Sequence, residues 1–158
     1  MDIPVETLIW KYQNSLYQAA YSALQNRAEA QDAVQMTFIQ YVRQEKNFES
    51  EEHVRHWLFR TVLNKAKDIR RSFWHRNKVD LSETIQNMSF EQPKDLDLFE
   101  AVSAMPANYR SVLQLYYYED FSIREIAQIL SISESAVKKR LSRARTLLKN
   151  KLNEEWEI

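Results

Sequence analysis

The chain contains no glycine in 158 residues. At a typical usage of about 7%, roughly eleven were expected, and glycine is the residue that two-residue hairpins and phosphate-cradling loops depend on. Glycine-rich nucleotide-binding loops are therefore excluded, and β-rich folds are disfavoured. Cysteine is also absent, which removes disulfide frameworks and thiolate zinc sites. The 44% of hydrophobic residues suffices for a core, but runs such as Val112 to Tyr118 are interrupted far below membrane-span length. Membrane insertion is not expected. The opening Met1-Asp2-Ile3-Pro4 lacks the basic-then-apolar pattern of a signal peptide, so a cytoplasmic location is expected. The remaining fold class is all-α.

Helical periodicity bears this out along the chain. Residues 4–26 open on Pro4 and repeat apolar groups at Leu8, Tyr12, Leu16, Ala19 or Ala20, and Ala23, with Asn26 expected as a left-handed cap. A second helix over about 28–44 turns Val34, Phe38 and Tyr41 inward. That leaves Asp32, Gln35, Met36 and Ile39 on another face. A third, over about 53–73, has its core stripe at Val54, Trp57 or Leu58, Thr61 or Val62, and Ala66 or Ile69. Arg60, Asn64, Lys67, Arg70 and Arg71 fall largely outside that stripe. Residues 1–75 thus form one small helical domain, 76–94 an acidic linker and 95–158 a second, four-helix domain. Extended at about 3.3 Å per residue, the linker stretch 74–94 reaches about 70 Å at most.

In the second domain, Ser122-Ile123-Arg124-Glu125 has the form of a capping box that launches a short helix ending near Leu130. Ser131-Ile132-Ser133 then makes a tight connection, and Ser133 caps a longer helix with Val137, Leu141, Ala144 and Leu148 on its buried stripe. This is the spacing of a helix-turn-helix, with Ser131 at a turn position where glycine is usual. The exposed face of the second helix presents Ser135, Lys138, Lys139, Ser142, Arg143 and Thr146, with Arg140 and Arg145 beside it. These side-chain types read base edges and clamp phosphates in a major groove.

A formal net charge of zero hides a strong segregation. Residues 53–78 carry eight Lys and Arg against one Asp, and 134–151 carry seven against one Glu, whereas 1–52 carry four against eight. Two basic blocks, each on a helical segment, are the electrostatic footprint of nucleic-acid binding.

With these features in place, the chain resembles the bacterial RNA polymerase sigma-70 family, in its small two-domain extracytoplasmic-function (ECF) class. The resemblance rests on Asp32 through Phe38, on His56 through Asp68 and on Met105-Pro106 through Arg145, in order and spacing. Met36 stands where the family usually has Glu, Asn26 and Ser131 stand at usual glycines, and the loop 45–53 is unusually acidic. The resemblance implies that Asp32, Gln35, Met36 and Ile39 dock on core RNA polymerase. It implies that Arg60, Asn64, Lys67, Arg70 and Arg71 bind the minus-10 promoter element as it opens, in a block that also contains Phe73 and Trp74. The face from Ser135 to Thr146 would bind duplex DNA at minus-35. Many members of this class are held inactive by an anti-sigma factor, which is therefore a further expected partner. The protein would work at the nucleoid with no cofactor.

The competing reading is a stand-alone helix-turn-helix regulator that binds duplex operators, as a dimer, through residues 122–149. An enzyme is not expected: no nucleophile sits beside a base, and no carboxylate cluster of metal type is visible. His53 and His56 lie three apart on one helix, but without cysteine to complete a ligand set they raise no expectation of a metal site.

Overall fold

The computed structural model describes residues 2–45, 47–76 and 96–156, with the side chains at 73–76, 96–99 and 153–156 outside the description. Among the described residues, seven α-helices make up two lobes. In the first lobe, α1 spans Val5–Leu24, α2 Arg27–Arg43 and α3 Glu51–Arg76. Pro4 precedes α1, where its missing N–H costs nothing, and its carbonyl accepts from Thr7 N at 3.1 Å and Leu8 N at 3.3 Å. Leu8, Tyr12, Leu16, Ala19 and Ala20 are buried at the expected spacing. Each fully buried leucine stabilises the fold by roughly 1.5–3 kcal/mol relative to exposure.

The cap between α1 and α2 differs from expectation. Gln25, not Asn26, adopts the left-handed conformation (φ 53°), and its N–H reaches Tyr21 O at 2.8 Å. Asn26 is instead the N-cap of α2, its side-chain oxygen accepting from Glu29 N at 3.0 Å. Asn serves either role, and here the short side chain goes to the orphaned amides of the incoming helix. Toward the core, α2 presents Ala30, Ala33, Thr37, Phe38 and Tyr41, with Val34 only half-buried. The Thr37 hydroxyl donates back to Ala33 O at 2.8 Å and so needs no outside partner.

The loop into α3 is anchored by Phe48, which is buried, stacks on Tyr41 at 5.9 Å and meets Trp57 edge-on at 5.8 Å. Trp57 is thus a packing residue, edge-on to Tyr41 as well. Ser50 starts the helix by accepting His53 N on its hydroxyl at 3.1 Å. The helix runs on through Arg76, three residues past its expected end, with Val54, Leu58, Thr61, Val62 and Ala66 buried. The expected linker, apart from residue 76 in this last turn, lies outside the described residues.

The second lobe contains α4 (Leu96–Ser103), α5 (Ala107–Leu113), α6 (Ile123–Leu130) and α7 (Glu134–Trp156). After Leu113 the coil widens into one π-turn over 114–118, closed by Glu119 N to Gln114 O and Phe121 N to Leu115 O. Asp120 then takes a left-handed φ of 57°, which turns the chain and buries Phe121.

The lobes pack on each other, a contact that no periodicity foretells. The α1 helix lies against α5, α3 lies against α6, and one hydrophobic core runs through both lobes. Arg110 of α5 is 9% exposed and sends its guanidinium into the C-terminal end of α1. There Nε donates to Ser22 O at 2.7 Å and Nη2 to Ala23 O at 3.3 Å, while Nη1 donates to Met105 O in its own lobe. Ser22 and Ala23 are among the last carbonyls of α1, which have no partner within their helix. A cation from the other lobe therefore caps the negative end of that helix.

Candidate polymerase and nucleic-acid interfaces

Three helices each bury one stripe and leave a distinct stripe in solvent. On α3, Arg60, Asn64, Lys67 and Arg71 follow one another at intervals of four, three and four residues and are all exposed, forming a single ridge opposite the core. Arg70 is exposed too but stands to one side of this ridge. It lies near enough to Arg110 for its charge to help lower that guanidinium's pKa, a shift whose main cause is burial. Among the five residues expected together, Arg70 is thus the one turned toward the second lobe.

On α7, Ser135, Lys138, Lys139, Ser142, Arg143 and Thr146 are all exposed, while Val137, Leu141 and Ala144 are buried beneath them. The supporting turn is built as its sequence required. Ser122 accepts Glu125 N at 3.1 Å and its own N–H donates to Glu125 Oε1 at 3.0 Å, completing the capping box. Ser131 takes the left-handed conformation (φ 57°), and Ser133 caps α7 by accepting Ala136 N at 3.0 Å. Ile126 and Leu141 are buried in the wedge between the helices, with Leu130 and Ile132 packed beside them. Thr146 returns its hydroxyl to Ser142 O at 3.0 Å. Arg145, beside this face, is held by its own lobe: its Nε donates to Tyr117 OH at 2.6 Å, and its guanidinium lies about 5.5 Å from the Tyr116 and Tyr117 rings.

On α2, Asp32, Gln35, Met36 and Ile39 are exposed together, and Val42 extends the face with 55% exposure. Beside them an open groove of about 850 Å³ runs between α1 and α2, lined by Ile9, Asn14 and Tyr17 on one wall and Asp32, Gln35 and Ile39 on the other. The N-terminal end of this face is acidic. Burial pushes the Glu29 carboxyl above its ordinary range, and the neighbouring Asp32 charge adds to that. The side chains of Phe73 and Trp74 lie outside the described residues.

Sequence reading missed the network that joins the lobes. Arg55 of α3 donates to Glu119 O at 2.6 Å, approaches Glu119 Oε2 at 3.6 Å and stacks on Phe121 with its guanidinium 3.9 Å from the ring centre. Phe59 meets the same ring edge-on at 5.1 Å, and His56 pairs with Glu125. These partners are 64 and 69 residues apart, and no local pattern signals them.

Both lobes match one family. The family described as Sigma-70 region 2 matches residues 8–76, and that described as Sigma-70, region 4 matches residues 95–148. Among curated relatives, the chain is 29% identical to "RNA polymerase sigma factor SigV" of Bacillus subtilis, covering 94% of this chain and 91% of that protein. It is also 29% identical to "ECF RNA polymerase sigma factor SigM" of the same organism, covering 92% and 93%. Among solved structures, the fold resembles the sigma factor RpoE in complex with the anti-sigma factor NepR from Bartonella quintana, with a TM-score of 0.76 at 20% identity over 94% and 96% of the two chains. It also resembles CnrH in complex with the cytosolic domain of CnrY, with a TM-score of 0.65 at 25% identity over 94% and 87%. With two consecutive regions matched in order and relatives aligned over nearly their whole length, the chain belongs to the bacterial sigma-70 family, as an RNA polymerase sigma factor of the ECF class.

Proposed function

We propose that this protein is a promoter-specificity subunit: it binds core RNA polymerase through the α2 face, opened minus-10 DNA through the α3 ridge and minus-35 duplex through α7. The observation that carries this reading is the presence of three separate exposed stripes on three helices, two basic and one mixed. A regulator that only grips duplex DNA has use for α7 and none for bare Met36, Ile39 and Val42 beside Asp32 and Gln35 on α2. A protein interface with an apolar centre and hydrogen-bonding edges accounts for that face. On α3, charges that follow a strand and Asn64 among them suit an unpaired strand. The protein acts by binding and strand opening, not by making bonds. It works in the cytoplasm at the nucleoid, and an anti-sigma factor is its natural restraint, a reading supported by the similar fold of RpoE in complex with the anti-sigma factor NepR. Among the described residues no helix is long and apolar enough to cross a membrane.

The division of labour is tested by separating its steps. Asn64→Ala is expected to impair strand opening while leaving polymerase binding intact, and Gln35→Ala with Ile39→Ala to weaken polymerase binding itself. Equal loss of polymerase binding in both variants would contradict the assignment.

A further inference from the structure

At the boundary between the lobes the fold assembles a set of donor atoms that neither lobe contains alone. Glu52 and His56 stand one turn apart on α3, with Glu52 Oε1 3.3 Å from His56 Nε2, and Glu125 of α6 brings its Oε2 to 2.5 Å from the same nitrogen. The three donor atoms lie within 4.8 Å of one another. Carboxylate oxygen and imidazole nitrogen are both ligand types that zinc accepts, and two of the first with one of the second leave a fourth position to water. Tetrahedral geometry with metal–ligand bonds of about 2.0–2.1 Å separates donors by about 3.3 Å, as Glu52 and His56 already are. A bound ion would take the place of the closer His56–Glu125 contact as the two groups part by less than an ångström, and any proton between them would pass to solvent.

Two of the donors are positioned by a contact of their own. Glu125 keeps Oε1 on Ser122 N at 3.0 Å, which leaves Oε2 aimed at α3. The His56 ring is set edge-on to Phe121 at 5.4 Å. Arg55 Nη1 lies 3.3 Å from Glu52 Oε1, the oxygen that also faces His56, so a bound ion would share that oxygen with the guanidinium or displace it. The Glu52 side chain is 60% exposed, which gives an ion an entry path.

We propose that Glu52, His56 and Glu125 form a site for one divalent transition-metal ion of the zinc class, with ligands from both lobes, so that the bound ion ties α3 to α6. This goes beyond the sigma-factor reading and does not rest on it. The sequence pairing of His53 with His56 is not the site: His53 turns away and accepts Glu49 N on Nδ1 at 3.2 Å.

The test uses the full chain and zinc alone, in competition with a chromophoric chelator, with cobalt as a spectroscopic substitute. One ion per chain is expected, with the visible absorption of tetrahedral cobalt and a thermal midpoint raised by zinc. His56→Gln, Glu125→Gln and Glu52→Gln should each weaken binding at least about ten-fold, with His53→Gln unchanged. Gln at 125 retains the capping box, and Glu52 is exposed, so loss of binding in those two variants is not loss of the fold. Absence of zinc binding, or binding unaffected by His56→Gln, overturns the proposal. Binding that is lost in His56→Gln but survives Glu125→Gln also overturns it, because the site would then lie on α3 alone.

Discussion

A chain without glycine must place ordinary residues in left-handed turns, and Gln25, Asp120 and Ser131 carry that strain. Each costs about 1–2 kcal/mol relative to a relaxed backbone, partly recovered by the hydrogen bonds that the turn closes. Ser131, exposed in the turn of the helix-turn-helix, uses its side chain for nothing the structure describes. Ser131→Gly is therefore expected to raise stability by up to about 1 kcal/mol, read from the denaturant midpoint, with the added chain entropy of glycine limiting the gain. Gln25 differs, since its side-chain amide donates to Ser103 O at 3.0 Å across the lobes. Arg110 lies at the opposite extreme. Replacing it by Ala leaves the Ser22, Ala23 and Met105 carbonyls without their shared donor, and a loss of roughly 2–4 kcal/mol is expected in the same measurement. Arg110→Lys should recover only part, because an ammonium lacks the planar fork that spans the two chain segments.

At the scale of helices, most of the structure was legible beforehand. The stripes of α1 and α3, the capping box at Ser122 and the connection 131–133 follow from periodicity and local hydrogen bonding, which depend on residues at most four apart. The cap at Gln25 was misread because Asn26 satisfies two local rules at once and only the geometry of the following helix decides between them. The exposed candidates on α2 and α7 were legible for the same reason as the core: a residue off the buried stripe faces water. Arg70 was grouped with its neighbours because it falls outside the core stripe, yet the rotation of the helix turns it toward α5. The α7 face makes its own prediction. Lys138→Ala and Arg143→Ala should each weaken binding to the upstream duplex and reduce the slope of log affinity against log salt by about one where the lost side chain contacts phosphate. Ser122→Ala, which removes a cap without touching that face, should cost about 1 kcal/mol of stability and leave the salt slope unchanged.

At the scale of the whole molecule, what the sequence hid is the packing of the lobes, since it depends on pairs 64 to 88 residues apart. Two carboxylates at this boundary respond to pH with opposite sign. Burial pushes the Glu125 carboxyl up, but the bonds from Ser122 and His56 outweigh it and hold it below the usual range. Its contribution to stability is then complete above the ordinary carboxylate pKa of about 4.3 and is lost as pH falls through the lower folded value. The stability difference between wild type and Glu125→Gln should accordingly shrink below about pH 4. Glu119 is raised, chiefly by burial, against the opposing charge of Arg55. Its contribution is present at acid pH and lost as pH rises through the folded value, so Glu119→Gln should cost less than Glu125→Gln at neutral pH. Acid unfolding curves of the two variants, compared at several pH values, check both statements.

The three stripes act together. Two DNA-binding faces joined through one polymerase-bound chain need only modest affinity each, because docking one raises the effective concentration of the other. The direct measurement is transcription by purified bacterial core polymerase from a pool of randomised promoters, with and without this protein. Transcripts that appear only with the protein, and that share two spaced upstream elements, are the predicted result. No added transcription, together with tight binding of the protein alone to duplex DNA of two-fold symmetry, would contradict it.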